Sequence, residues 1–358
     1  MTNLLDYGFP EAFLPRQASA EAASLVPSRV TAVFKERYQL ITPHGQRYGR
    51  LKTKEYHYEG GQDFPTTGDY VLAQPAGDPD LESAGDWRIL RTLPRKSFFS
   101  RLDGWHGVEQ AVAANMDVVF AVQSLNENFN VKRLERYLTL AWNSGAQPVV
   151  VLTKADLPGD HQAMVEAAYE VAGEAPVLAL SAKTGQGMEQ LDAYLKPRVT
   201  AAFLGSSGVG KSSLINALAG QEVMDTGDIR EDDARGRHTT THRQLLRLPS
   251  GVLVIDTPGM RELGMWDAAE GLSAAFPDVE RFLGQCRFHD CRHGQEPGCA
   301  IRGALERGEL SPQRWKNYRQ LAGESSASQR MKRGQRSKAL AKQQRQASKY
   351  KKKFTDFT

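Results

Sequence analysis

Between residues 28 and 101, apolar and polar residues alternate in short runs: Val30–Phe34, Tyr38–Ile41, Gly49–Lys54, Tyr70–Ala73 and Trp87–Leu93. Pro43-His44-Gly45, Gly60-Gly61 and Thr67-Gly68-Asp69 break the runs apart. A period of two bounded by turn residues predicts β-strands. Five short strands in about 70 residues predict a small barrel of the oligonucleotide/oligosaccharide-binding (OB) type, and an SH3-like barrel reads much the same. From Asp117 the period changes. Val118–Val122, Val149–Leu152, Val177–Leu180, Val199–Leu204, Gln244–Leu248 and Val252–Ile255 read as strands. Val131–Trp142, Gln162–Ala172, Met188–Leu195 and Lys211–Ala219 read as helices between them. Such alternation predicts a mostly parallel α/β sheet covered by helices on both faces. Ser273–Leu283 and Cys286–Gly323 predict a third, largely helical unit.

These patterns divide the 358 residues into an N-terminal extension (1–27), the barrel (28–101), an α/β domain (102–267), a helical domain (268–323) and a tail (324–358). No stretch approaches the apolar run of a membrane helix. Residues 1–27 lack the basic start and apolar core of a secretory signal, so a cytoplasmic protein is expected. The net charge of +4 is unevenly spread: the tail holds 11 of the 46 Lys/Arg but only 2 of the 42 Asp/Glu, leaving the rest of the chain net negative. A basic tail rich in Gln, Ser and Lys cannot bury a core. Clustered cations gain affinity for phosphates by releasing counterions, so nucleic acid is the expected partner of the tail.

The segment Gly205-Ser206-Ser207-Gly208-Val209-Gly210-Lys211-Ser212 fits G-x-x-x-x-G-K-[ST], with a strand before it and an apolar-periodic helix after it. Its glycines let the backbone curl so that N–H groups point at phosphate oxygens. Lys211 is expected to reach the terminal phosphates, the Ser212 hydroxyl to bind Mg²⁺, and Ser213 to complete the nucleotide-binding set. Downstream, the strand Val252–Ile255 leads into Asp256-Thr257-Pro258-Gly259. Asp256 is placed as the second Mg²⁺ anchor. Gly259, lacking a Cβ, can offer its N–H to a γ-phosphate.

The base is read by two further segments. Thr153-Lys154-Ala155-Asp156 ends a strand and matches N-K-x-D except at Thr153. A carboxylate at Asp156 accepts both hydrogen bonds of guanine's N–H edge, which adenine does not offer. Thr153 in place of Asn predicts a weaker brace to the phosphate loop. Ser181-Ala182-Lys183 ends the next strand and presents backbone N–H groups to the guanine oxygen. Both segments precede the phosphate loop, the reverse of the common order. A sheet tolerates such a permutation because strand neighbours, not chain order, define the site.

All three cysteines, Cys286, Cys291 and Cys299, fall in one short segment. An odd number there argues against a disulfide framework and for metal. With one imidazole, His289 or His293, they supply the four donors of a closed tetrahedral zinc site.

The motif order resembles the RsgA (YjeQ/YloQ) family of circularly permuted GTPases. So do Ala114-Asn115-Met116-Asp117, Gly236-Arg237-His238-Thr239-Thr240-Thr241, Asp256 to Leu263, the cysteine cluster and Trp315-Lys316-Asn317-Tyr318. The resemblance spans nearly the whole chain. It implies a GTPase acting late in assembly of the small ribosomal subunit, with barrel and zinc domain on ribosomal RNA, and it favours His293 over His289 as ligand. Thr240 is then expected to close on Mg²⁺ when GTP is bound. Met260 stands after Gly259, where a Gln would orient water, so His238 is the candidate for positioning the attacking water and His242 the second. With no Gln and no evident arginine finger, slow intrinsic turnover is expected from a monomer. The alternative is an RNA-binding assembly chaperone with a nucleotide-bound but catalytically weak core.

Overall fold

The computed structural model describes residues 2–13, 25–35, 37–51, 64–77, 85–102, 109–224, 243–255, 263, 265 and 268–327. Strands β1 (Val26–Val33), β2 (Tyr38–Thr42), β3 (Gly45–Leu51), β4 (Tyr70–Gln74) and β5 (Trp87–Thr92) close a barrel in the order β1-β2-β3-β5-β4. Every pair is antiparallel except β3–β5. That parallel pair requires a crossover, which an SH3-like meander lacks and the OB Greek key contains. Val30, Leu40, Val71, Trp87 and Ile89 fill the barrel.

An antiparallel hairpin, β6 (Phe98–Leu102) with β7 (Glu109–Ala114), follows the barrel. It has no counterpart in the strands read from the sequence. The 101/102 boundary drawn there falls inside β6.

Strands β8 (Val118–Ser124), β9 (Gln147–Thr153), β10 (Val177–Ala179), β11 (Thr200–Leu204), β12 (Leu245–Arg247) and β13 (Leu253–Ile255) form a six-stranded sheet ordered β10-β9-β8-β11-β13-β12. All neighbours are parallel except the edge strand β12. Helices α1 (Val131–Asn143) and α2 (Gln162–Ala172) cover one face, through Leu134, Leu138, Ala168 and Val171. Helix α3 (Lys211–Ala219) covers the other through Leu214 and Ile215. Of the span Met188–Leu195, read as a helix, Met188–Ala193 forms a 3-10 helix.

The C-terminal unit contains α4 (Ala269–Ala275), α5 (Pro277–Glu280), α6 (Ala300–Glu306) and α7 (312–327). Within the span Ser273–Leu283, part of the unit expected to be largely helical, the helix breaks at Phe276 (φ −128°, ψ 51°), because Pro277 disfavours the helical conformation in the residue before it. This unit has no separate core. Leu272, Phe276, Val279, Ile301 and Leu321 join one cluster with Leu134, Leu138 and Ala141 of α1. Gly271 makes the approach possible: a Cβ there would lie 2.3 Å from the Thr139 carbonyl oxygen.

Each flanking unit meets the sheet domain around one buried arginine. Arg29 of β1 donates from Nε to the Gly68 carbonyl (3.2 Å), from Nη2 to the Asn115 carbonyl (3.4 Å) and Thr200 Oγ1 (3.0 Å), and from Nη1 to the Tyr7 carbonyl. Asn115, at φ +58°, donates to the Gly68 carbonyl and accepts from the Lys96 N–H. Asp117 accepts from the Thr200 N–H at 2.8 Å. The segment Ala114–Asp117 is therefore the seam between barrel and sheet. On the opposite side, Arg314 of α7 pairs with Glu135 of α1 (2.7 Å) and Asp278 of α5 (2.9 Å). Asn317 donates to the other Glu135 oxygen at 2.5 Å.

Candidate nucleotide site and metal centre

The strands carrying the sequence motifs run in one direction, so β8, β9, β10 and β11 all end on the same edge of the sheet. That edge, where helices leave to opposite faces, is where ligands bind in open α/β sheets. Permuting the chain leaves this geometry intact.

The phosphate loop runs from Gly205 to α3. Gly205 lies against the sheet, where a Cβ would meet the Val122 carbonyl oxygen and Val209 Cγ2 at 2.9 Å. Gly208 and Gly210 adopt φ +73° and +94°, the left-handed region that glycine enters without strain. Gly210 is the N-cap of α3 and contributes no side chain, so the amides of the first turn are left to whatever anion sits there. Lys211 Nζ donates to the carbonyls of Gly205 and Ser206, both at 2.7 Å, keeping the ammonium folded over the loop. Ser212 and Ser213 stand in the first turn of α3, Ser212 half-buried and Ser213 exposed.

The turn after β9 sits beside this loop. Thr153 Oγ1 donates to the Val209 carbonyl at 2.5 Å and lies 3.2 Å from the Gln123 carbonyl. A brace between this turn and the loop is present, made by the Thr153 hydroxyl where the usual motif has an Asn amide. Lys154 adopts φ +62°, turning the chain so that Asp156 Oδ1 accepts from the Ser181 hydroxyl at 2.6 Å. Ser181 Oγ in turn accepts from the N–H groups of Lys183 and Thr184, both at 3.2 Å. The Ser181 bond, aided by Lys183 and Lys154, holds the Asp156 carboxyl below its ordinary pKa. Ala182 is half-buried between these residues. His238, Thr240, His242, Asp256, Gly259 and Met260 lie outside the described residues.

In the C-terminal unit, Cys286, Cys291, Cys299 and His293 bring one donor atom each within 4.8 Å of one another. His293 Nδ1 is 3.4 Å from Cys286 Sγ and 3.7 Å from Cys299 Sγ. A tetrahedral zinc with ordinary bond lengths separates sulfur from nitrogen by about 3.5 Å, so the cluster fits a bound metal. Backbone N–H groups already point at the sulfurs: Ala300 to Cys286 (3.3 Å), His293 to Cys291 and Arg302 to Cys299 (both 3.4 Å). His293 reaches its place through φ +59° and meets the edge of Trp315. His289 is exposed and outside the cluster, so the geometry selects His293.

Sequence reasoning missed the residues that support these sites. Asn128, with Arg133 and Gln123 behind it, touches the phosphate loop, and Arg29 and Arg314 fix the flanking units. Polar residues in strands and first turns read as surface. Only a buried polar position opposite a charge distinguishes them, and that requires the fold.

The described geometry agrees with what this chain is similar to. The family model described as RsgA GTPase matches residues 92–266. A second model, ABC transporter, matches 188–347, a span that includes the phosphate loop but omits β8 and β9. The small ribosomal subunit biogenesis GTPase RsgA 2 of Listeria monocytogenes is 44% identical over 342 residues, 96% of this chain and 94% of the relative. The corresponding GTPase of Streptomyces avermitilis is 42% identical, covering 90% and 85%. The crystal structure of YjeQ from Thermotoga maritima superposes with a TM-score of 0.59 at 27% identity, covering 83% of this chain and 97% of that one. The structure of YloQ, a circularly permuted GTPase, shares the fold with a TM-score of 0.58 at 24% identity, over 87% and 98%. Barrel, permuted motif order, thiolate cluster and near full-length identity together give one result: the chain belongs to the RsgA family of GTPases.

Proposed function

We propose that this protein hydrolyses GTP to GDP and phosphate and works as a switch in maturation of the small ribosomal subunit. One observation carries the reading: the base-side turn and the phosphate loop share one sheet edge, joined by the Thr153 hydroxyl on the Val209 carbonyl at 2.5 Å. Asp156 accepts from the guanine N–H edge, and the Ser181-Ala182-Lys183 backbone donates to the guanine oxygen. Gly205 to Ser213 cradle the phosphates, with Lys211 leaving its two carbonyls for the terminal phosphates. Ser212, Thr240 and Asp256 hold Mg²⁺, whose charge offsets that of the β- and γ-phosphates. Gly259 donates to the γ-phosphate and His238 positions the attacking water. No covalent intermediate is needed, because positioning and charge compensation account for catalysis of this kind.

Cys286, Cys291, His293 and Cys299 hold one structural zinc, which cross-links a loop otherwise short of regular structure. The relatives' names supply the small ribosomal subunit as partner, and ribosomal RNA is contacted by the barrel, the C-terminal unit and the tail. The protein acts as a cytoplasmic monomer, with the barrel divided from the sheet domain between β5 and β6 and the C-terminal unit beginning near residue 268. Its GTPase rate, measured with and without purified small subunits, tests the reading. A ribosome-dependent rise supports it, and an unchanged negligible rate favours the inert-core chaperone instead. Elemental analysis is expected to find about one zinc per chain, retained in His289→Ala and lost in Cys291→Ala.

A further inference from the structure

We infer that Asn128 is a positioning residue that fixes the Ser207–Gly208 peptide of the phosphate loop. The inference rests on the nucleotide-site reading above. The connection from β8 to α1 contains three asparagines with separate tasks. Asn130 caps α1 by accepting from the Arg133 N–H at 2.9 Å. Asn126 accepts from the Ser124 hydroxyl (2.7 Å) and the Asn128 N–H (3.1 Å), which closes a tight turn. Asn128 reaches across to the phosphate loop, where its Nδ2 lies 3.4 Å from the Ser207 carbonyl oxygen and 3.5 Å from Ser206 Oγ.

The orientation of that amide is forced. Asn128 Oδ1 accepts from Arg133 Nη2 at 2.9 Å, and the same nitrogen donates to the Asn128 carbonyl and, at 3.1 Å, to Oε1 of the buried Gln123. A flipped amide would aim its NH₂ at the guanidinium and its oxygen at the Ser207 carbonyl, and both contacts repel. The donor end therefore faces the phosphate loop.

A trans peptide points its C=O and the following N–H in opposite directions. Holding the Ser207 carbonyl on Asn128 thus aims the Gly208 N–H away from the β8–α1 connection, toward the hollow of the loop. Among the described residues, a Cβ built on Gly208 would meet no atom within 4 Å. At one end of the loop Gly205 lies so close to the Val122 carbonyl that a Cβ would come within 2.9 Å of it, and at the other the Val209 carbonyl accepts from the Thr153 hydroxyl. The middle is tethered from outside by Asn128, with Arg133 and Gln123 behind it.

The test is release of a fluorescent GDP from the full-length protein by stopped flow, with guanosine as a competitor that has no phosphate. Asn128→Ala is expected to release GDP about tenfold faster, the scale of one hydrogen bond, while guanosine affinity and thermal midpoint stay unchanged. Arg133→Lys keeps the charge but loses the fork that aims the amide, and is expected to shift GDP release the same way by about threefold. GDP release at the wild-type rate in both variants overturns the inference. So does an equal loss of GDP and guanosine affinity, which marks a general structural role. If the unmodified protein binds no GDP, the nucleotide reading itself fails and the inference falls with it.

Discussion

The two joints that hold the flanking units to the sheet domain solve the same problem with opposite chemistry. Arg29, fully buried between barrel and sheet, donates to carbonyl and hydroxyl oxygens, lies over the Tyr70 ring at 4.9 Å and pairs with no carboxylate among the described residues. Burial pushes its pKa down from the ordinary arginine value, and Tyr70, Asp117 and Asp69 oppose that only through space. Arg314, between α7 and α1, forms ion pairs with two carboxylates and lies over the Phe276 ring, 4.1 Å from its centroid. Burial pushes the Glu135 carboxyl up, and Arg314 with Asn317 opposes it. In the first joint removal of the cation leaves neutral acceptors behind. In the second it leaves a buried charge. The barrel seam thus depends on shape and hydrogen-bond geometry, the C-terminal seam on charge balance.

The largest expected effect is at the charged joint. Arg314→Ala strands Glu135, which is 1% exposed, and is expected to destabilise the C-terminal unit by about 3–5 kcal/mol. Hydrogen exchange in α7 and α1 reads this directly. Replacing both buried partners, Arg314→Met with Glu135→Leu, is expected to recover most of the loss, since the buried charge leaves with its counter-charge and the remaining Asp278, 37% exposed, is solvated. Arg29→Met comes next, at about 1–3 kcal/mol, because the carbonyls lose a donor but no ion is orphaned. Chemical denaturation of the two single variants decides the matter. Equal costs at Arg29 and Arg314 would show that the contrast between the joints is wrong. The smallest effect is at Thr153. Thr153→Val removes one neutral hydrogen bond inside the sheet domain and is expected to cost about 0.5–1.5 kcal/mol in the nucleotide-free protein, which sets the scale for a neutral partner.

Elements with strong periodicity were legible from the sequence alone. The β8, β9 and β11 strands and the α1, α2 and α3 helices fall within a residue or two of where alternation and helical spacing put them. The phosphate loop and the cysteine cluster were legible because their chemistry constrains residue type at fixed spacing. Hairpin β6–β7 was not: Phe98-Phe99 gives no alternation, and Ala111 to Ala114 carries little side-chain signal. The role of Ala114–Asp117 was equally hidden. Resemblance flagged the segment, yet only the fold places Asn115 and Asp117 against Gly68 and Thr200. Glu135 and Arg314 read as ordinary charges on amphipathic helices. Their pairing depends on a contact between residues 179 positions apart, which no local pattern encodes.

That separation has a consequence for how the chain is made. Strands β8 to β10 are adjacent in both chain and sheet, so the base-side half of the domain can assemble early during synthesis. Helix α1 is then complete, but the residues that cover its outer stripe have not been translated. At about 5–20 residues per second, Glu135 waits roughly 10–40 s for Arg314 to emerge. During that interval the nascent chain displays an apolar helix face with an acidic side chain in its middle, a surface suited to transient chaperone engagement. A message truncated before codon 268 would yield a complete sheet with this face permanently bare. Such a product would be recognised by its stickiness rather than by any defect in the nucleotide site, so loss of the last quarter of the chain would present in the cell as degradation or aggregation.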